Sequence, residues 1–209
     1  MRPTQWVFDL DDTLYPPSVG LRDQQRAQMR AFIERTYGVS PDEAEAVRQL
    51  LIAEHGTTLH GLMITKGVDP VDFLTWEHQL DFSGLTPDPL LRTALAQHDD
   101  SRYVFTNGTA DYGRRVLRLL ELDDLFDGVW GIDCGDYLPK PWPDAYRRCF
   151  AGLGIDPTGG IFFDDAAINL EVPKRLGMTT VLVSACDEDH DHVDQRVPDL
   201  LTWLRRPVE

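Results

Sequence analysis

The chain has 209 residues, 42% of them hydrophobic, enough to bury a sizeable core and too many for a disordered polymer. Thirty-five acidic against 20 basic residues leave a formal charge of -15, which repels nucleic acid polymers and anionic membranes and leaves no basic stripe for either. An anionic substrate therefore needs a local cation to attract it.

The first predicted element is a strand in "QWVFDL", residues 5–10, closed by "PPSVG" at 16–20. Helical spacing of Met29, Phe32 and Ile33 predicts a helix from Leu21 to about Tyr37, stopped at Gly38. Ser40, Pro41 and Glu43 form the start signal of a second helix running to Gly56. Shorter helices are predicted at 57–65 and 70–79, with Trp76 spaced to join Phe73 and Leu80 in a helical core.

After "SGLTPDP" the pattern changes. The helix "PLLRTALAQH", strand "RYVFTN", helix "ADYGRRVLRLLELD" and short strand "GVWGID" follow in turn. Then come the helix "PDAYRRCFAGLG", strand "GIFFDD", helix "INLEVPKRLG", strand "TTVLVSA" and a last amphipathic helix in "LTWLRRPVE" ending before Pro207. Strands alternating with helices predict an α/β fold with a mostly parallel sheet. The expected division is a core of residues 1–16 and 85–209 interrupted by an all-helical insertion, residues 17–84, large enough to act as a lid.

Ligands of open α/β sheets bind beyond the carboxyl ends of the strands. There this chain places Asp9, Asp11 and Asp12, then Thr106 and Asn107, then Asp133, then Asp164 and Asp165, with Lys140 in the loop after the third strand. Carboxylates from two strand ends call for a hard divalent cation, and oxygen ligands with an open substrate position suit Mg²⁺. Lys140, Thr106 and Asn107 supply charge and donors for a phosphate. In an extended strand residues 9 and 11 face one side, roughly 6.5 to 7 Å apart. Asp9 is thus the candidate nucleophile forming an aspartyl-phosphate, and Asp11 the acid that protonates the leaving group and then activates water.

Blander readings stand beside these. Asp12 can cap a turn, Thr106-Asn107-Gly108 can be a turn or helix cap, and Lys140 between Pro139 and Pro141 can be a solvated loop lysine. Cys134, Cys149 and Cys186 lack any CxxC and read as ordinary thiols. The run "DEDHDH" at 187–192 reads as a solvated loop in preference to a metal site, and "RRVLRLL" at 114–120 as an amphipathic helix face.

"FDLDDTLY", "TN" at 106–107, "KP" at 140–141 and "FFDD" at 162–165 resemble the four ordered motifs of the haloacid dehalogenase-like hydrolase superfamily. The resemblance implies a Rossmann-like three-layer core with a helical cap and a magnesium-dependent phosphatase site. Asp9 matches the nucleophile, and Asp11 the acid/base whose backbone carbonyl also binds the metal. Thr106 and Lys140 match the phosphate-holding groups, and Asp164 the acidic metal ligand, with Asp165 close by. An acid at 11 speaks against dehalogenation, because a halide leaves without a proton.

"HGTTLHGLM" at 55–63 and "FFDDAAINLEVPKRLGMTTVLV" are similar to stretches of the pyrimidine 5'-nucleotidase branch. Ala166 stands where that pattern has serine, Pro173 interrupts the following helix, and Asn169 matches an asparagine that can bond Lys140 or a metal ligand. Substrate selection is expected from the cap, with Thr57 and Thr58 as contacts to a base or sugar or as helix caps, and from Tyr15, which can stack on a ligand or wedge the two domains.

The expected activity is hydrolysis of nucleoside 5'-monophosphates, pyrimidine ones first, with Mg²⁺ as cofactor and a small phosphorylated metabolite as partner. A sugar-phosphate, phosphoglycolate or broad metabolite phosphatase is the alternative within the superfamily, and a phosphomutase a remoter one. From another class, a catalytically idle binding module would keep the fold alone. Lacking an apolar run near 18 residues and meeting acids early at its N-terminus, the chain is expected to be cytoplasmic.

Overall fold

The computed structural model describes residues 4–185 and 189–206. In chain order, β1 (Gln5–Phe8) is followed by α1 (Leu21–Tyr37), α2 (Pro41–His55), α3 (Thr58–Lys66), α4 (Pro70–Glu77) and α5 (Pro89–Ala96). Next come β2 (Ser101–Phe105), α6 (Ala110–Leu119), β3 (Gly128–Trp130), α7 (Pro143–Leu153) and β4 (Ile161–Asp164). The chain closes with α8 (Glu171–Arg175), β5 (Thr179–Val183), β6 (Gln195–Val197) and α9 (Leu200–Leu204). Pro17–Gly84 forms one compact unit and the chain on either side of it forms the other.

The outer segments build a parallel sheet in the order β3-β2-β1-β4-β5-β6 with helices flanking it, an α/β three-layer, Rossmann-like fold. A parallel sheet is buried on both faces, and its strands are apolar accordingly. Adjacent phenylalanines in β4 point to opposite sides. Phe162 joins Val7, Phe105 and Leu182 against Tyr146, Cys149 and Phe150 of α7. Phe163 stacks on Phe8 with ring centroids 4.5 Å apart and meets Trp203 of α9 edge-on at 4.8 Å. Each such ring contributes about 2 to 3 kcal/mol by leaving water.

Chain direction from the sheet reverses at β1, which lies between β2 and β4. Phe8 pairs with Val104 on one side and Phe163 on the other, so the next row holds Asp9, Phe105 and Asp164. Register alone brings Asp9 and Asp164 together.

Several elements end earlier than the sequence pattern suggests. β3 stops at Trp130 because Gly131 lies against the start of α6, where a Cβ would stand 2.0 Å from the Ala110 nitrogen. α6 stops at Leu119, and Glu121 turns the chain away with φ of 57°. The helix expected over "INLEVPKRLG" is a 3-10 turn, Ala167–Leu170, followed by α8. Pro173 sits in the first turn of α8, where its missing N–H would have had no intrahelical partner. β6 was not expected: it is three residues long with glutamine and arginine, too short to show a period. Cys186, Asp187 and Glu188 lie outside the described residues, as does Pro207.

In the helical unit, α2 opens with the reciprocal Ser40–Glu43 capping box. Phe32 of α1 meets Phe73 of α4 edge-on at 5.1 Å, and Trp76 donates its indole N–H to the Gln28 carbonyl at 3.1 Å. Trp76 is a packing residue there. α3 approaches α2 at Gly61, where a Cβ would lie 2.8 Å from the Leu51 Cβ.

Candidate active site

The strand ends at Phe8; Asp9 lies just beyond it, while Asp11 and Asp12 belong to the turn that follows and not to an extended run. Leu14 donates its N–H to the Leu10 carbonyl at 3.0 Å and Asp12 takes φ of 61°. The same-side argument for residues 9 and 11 therefore does not describe their placement. Asp9 continues the sheet register through its own N–H, which donates to the Phe163 carbonyl at 2.8 Å.

Lys140 is buried, which removes the solvated-loop alternative. Its ammonium donates to Asp9 Oδ1 at 2.8 Å and to Asp164 Oδ2 at 2.7 Å. Burial disfavours the charged ammonium, but the carboxylates of Asp164 and Asp9 outweigh it and hold Lys140 above the ordinary lysine range. Burial pushes the Asp164 carboxyl up, Lys140 draws it back in part, and Asp9 adds to the rise. Asp164 Oδ1 accepts from the Ala166 N–H and from Asn169 Nδ2, each at 2.9 Å. The contact at position 166 is made by backbone, so alanine there does not remove it. Asn169 thus bonds Asp164, one of the two partners its sequence position suggested.

One carboxylate oxygen each from Asp9, Asp164 and Asp165 lie within 4.8 Å of one another. Three carboxylates and one ammonium leave a formal charge of about -2, and every donor is a hard oxygen, which fits a divalent cation of the Mg²⁺ type. The Asp11 side chain is not part of that group. Its Oδ1 accepts the Tyr112 hydroxyl at 2.6 Å and the Tyr15 hydroxyl as well. Burial, reinforced by the Asp11 charge, pushes the Tyr15 phenol above its ordinary range, so it stays protonated and donates. Tyr15 is buried, and its polar end faces Asp11. The sequence reading missed Tyr112: a tyrosine on an amphipathic helix reads as core.

Thr106 is buried at the end of β2, and its Oγ1 accepts the Gly108 N–H at 2.9 Å, which leaves the hydroxyl proton to donate elsewhere. Asn107 was expected on phosphate, but its amide is committed to the Lys140 backbone. The Lys140 N–H donates to Asn107 Oδ1 at 2.7 Å, and Asn107 Nδ2 donates to the Lys140 carbonyl at 3.1 Å. The amide is better described as a brace for Lys140 than as a phosphate contact. Asp133, in the 3-10 turn Ile132–Gly135 after β3, accepts the Ala110 N–H at 2.8 Å and so satisfies a free donor in the first turn of α6.

Thr57 and Thr58 belong to the helical unit. Thr57 is the N-cap of α3, accepting the His60 N–H at 3.1 Å, and Thr58 is buried in the first turn. In the 187–192 run, the described Asp189 pairs with Arg196 at 3.0 Å, and His192 Nε2 lies 2.8 Å from the Ala167 carbonyl.

The family described as "haloacid dehalogenase-like hydrolase" matches residues 6–177. Phosphate metabolism protein 8 of Saccharomyces cerevisiae is 26% identical over 85% of this chain, which spans 60% of that protein's length. Glyceraldehyde 3-phosphate phosphatase of Methanopyrus kandleri is 27% identical over 97% of this chain and 93% of its own. Among solved structures, an HAD phosphatase from Thermococcus onnurineus superposes with a TM-score of 0.65 at 23% identity, covering 97% of this chain and 96% of its own.

Proposed function

Because the chain belongs to the haloacid dehalogenase-like hydrolase family, we propose that it is a Mg²⁺-dependent phosphomonoester hydrolase working through an aspartyl-phosphate on Asp9. The observation that carries this reading is the buried Lys140 ammonium bridging Asp9 and Asp164 beside Asp165 at the switch point of the sheet. Burying carboxylates is costly; Lys140 offsets part of that cost at Asp9 and Asp164, and a divalent cation with an anionic ligand would complete the balance.

Asp9, Asp164 and Asp165, with the Asp11 backbone carbonyl, would hold the metal. When bound, the ion supplies charge compensation for the phosphoryl oxygens. Lys140 and the Thr106 hydroxyl bind and orient those oxygens. An Asp9 carboxylate oxygen attacks phosphorus, the bond to the ester oxygen breaks, and Asp11 gives its proton to the departing alkoxide. Water then loses a proton to Asp11 and attacks the same phosphorus. The acyl-phosphate bond breaks, releasing inorganic phosphate and restoring Asp9 and Asp11. Asn169 steadies Asp164 and Asn107 steadies Lys140 throughout.

In this reading residues 1–16 and 85–209 are the catalytic core, and 17–84 is a cap in which Thr57 and Thr58 contribute to selection. Nucleoside 5'-monophosphates, pyrimidine ones first, are the substrates, supported by the "HGTTLHGLM" stretch and the "FFDD" segment. A small sugar phosphate is the second reading, favoured by the match along nearly the whole chain to the Methanopyrus phosphatase. No helix among the described residues is long and apolar enough to cross a membrane. In this reading the enzyme works in the cytoplasm on a dissolved metabolite.

The test is a phosphate-release screen over nucleotides, sugar phosphates and phosphoglycolate, with Mg²⁺ and with EDTA. An optimum for CMP or UMP that disappears with EDTA supports the reading, and preference for a triose or hexose phosphate moves it to the second. Asp9→Asn is expected to abolish turnover; an active Asp9→Asn protein means that the nucleophile is another group.

A further inference from the structure

Asp11 lies two residues from Asp9, in a turn next to the cluster of Asp9, Asp164 and Asp165 and their Lys140 ammonium. That cluster carries a formal charge of about -2 and its one ammonium is already shared by Asp9 and Asp164, so it does not hold another short carboxylate in place. The proposed task of Asp11 requires a carboxyl group held at the leaving-group oxygen. Tyr112 reaches Asp11 from α6, 101 residues further along the chain, with its hydroxyl 2.6 Å from Oδ1. The Tyr15 hydroxyl donates to that same atom. Both rings are buried, so neither donor is lost to water.

We propose that Tyr112, acting with Tyr15, is a positioning residue that tethers Asp11 by Oδ1 and so directs the transferable proton to Oδ2. The inference rests on the hydrolase reading above. A carboxylate oxygen that accepts two O–H donors has committed both of its lone pairs. A proton on Asp11 is therefore carried by the other oxygen, Oδ2. That oxygen gives up its proton to the ester oxygen as the phosphorus–oxygen bond breaks, and takes one from water in the second step. The tyrosines exchange no proton in either step. Removing one donor leaves the acid in place chemically and loosens its aim, and misplacement by about 1 Å costs up to about a hundred-fold in rate.

Loosened aim has a signature that a general packing defect lacks. An alkyl phosphate needs its alkoxide protonated, whereas the nitrophenolate of 4-nitrophenyl phosphate departs without a proton. The parameter kcat/KM covers the steps through formation of the aspartyl-phosphate, so hydrolysis of that shared intermediate drops out of the comparison. For Tyr112→Phe we expect the ratio of kcat/KM for CMP to kcat/KM for 4-nitrophenyl phosphate to fall about ten- to a hundred-fold. KM for CMP is expected to stay within about twofold, placing the loss in kcat. Tyr15→Phe carries the same expectation and serves as the test should Tyr112→Phe fail to fold by circular dichroism. Equal losses on both esters, or no loss on CMP, overturn the assignment. Where the screen prefers a sugar phosphate, that ester replaces CMP in the ratio; a wild-type protein that releases phosphate from no ester, 4-nitrophenyl phosphate included, overturns instead the hydrolase reading beneath it.

Discussion

The buried Lys140 ammonium pairs with both Asp9 and Asp164, and its usefulness depends on its backbone being fixed. Asn107 does the fixing, through one hydrogen bond to the Lys140 N–H and one to its carbonyl. Asn107→Ala is therefore expected to lower kcat/KM about tenfold and to weaken inhibition by inorganic phosphate, by letting Lys140 drift. It is also expected to cost about 1 kcal/mol in unfolding free energy for the hydrogen bonds lost at an exposed site. Steady-state kinetics and urea denaturation of the two proteins measure both effects; unchanged phosphate inhibition would show that the brace is dispensable. Acids after a strand and a lysine between prolines were legible as residues of one edge. What each side chain holds was not, because Asn107 and Lys140 are 33 residues apart and a lysine's burial is decided by partners that local spacing does not name.

Helix starts were the most legible elements, since a cap is a local device: Ser40 with Glu43, Thr57 with His60, and Asp88 with Leu90 each satisfy their own first turn. Helix ends depend more on surroundings, and α4 shows a consequence. His78 is its C-cap, half-buried, and burial pushes the imidazole down to about 4. An unfolded chain holds it near the ordinary value of 6.5. Between those values the unfolded state binds a proton that the folded state refuses, so stability is present above pH 6.5, falls as the pH drops toward 4, and levels off below. A shift of that size is worth up to about 3 kcal/mol. His60 is lowered by burial and by His55 and slopes the same way, so the comparison is made between His78→Gln and wild type. The stability difference between pH 7 and pH 4.5, from urea midpoints, is expected to be about 2 to 3 kcal/mol smaller in His78→Gln. An unchanged difference would mean that the imidazole titrates normally.

At the scale of the whole molecule, the order of strands is what converts distant motifs into one cluster. Asp9 and Asp164 are 155 residues apart, yet both flank the row above Phe8 and Phe163, because β1 was laid beside β4 and the helical unit left the chain between β1 and β2. That placement was legible from alternating strands and helices, whereas β6 was not, its three residues being too few to carry a pattern. The charge of -15 acts at this same scale and against the proposed chemistry, since a phosphomonoester dianion approaches a molecule that repels it while Lys140 attracts it only at close range. Salt screens the long-range repulsion first. Raising ionic strength from about 0.01 M to about 0.15 M shortens the screening length from about 30 Å to about 8 Å, which leaves contacts of under 3 Å at Lys140 nearly untouched. With Mg²⁺ held saturating, kcat/KM for CMP is therefore expected to rise about threefold or more across that range of sodium chloride, and kcat to stay level. A falling kcat/KM would place the governing field in a cationic patch near the site and not in the net charge of the molecule.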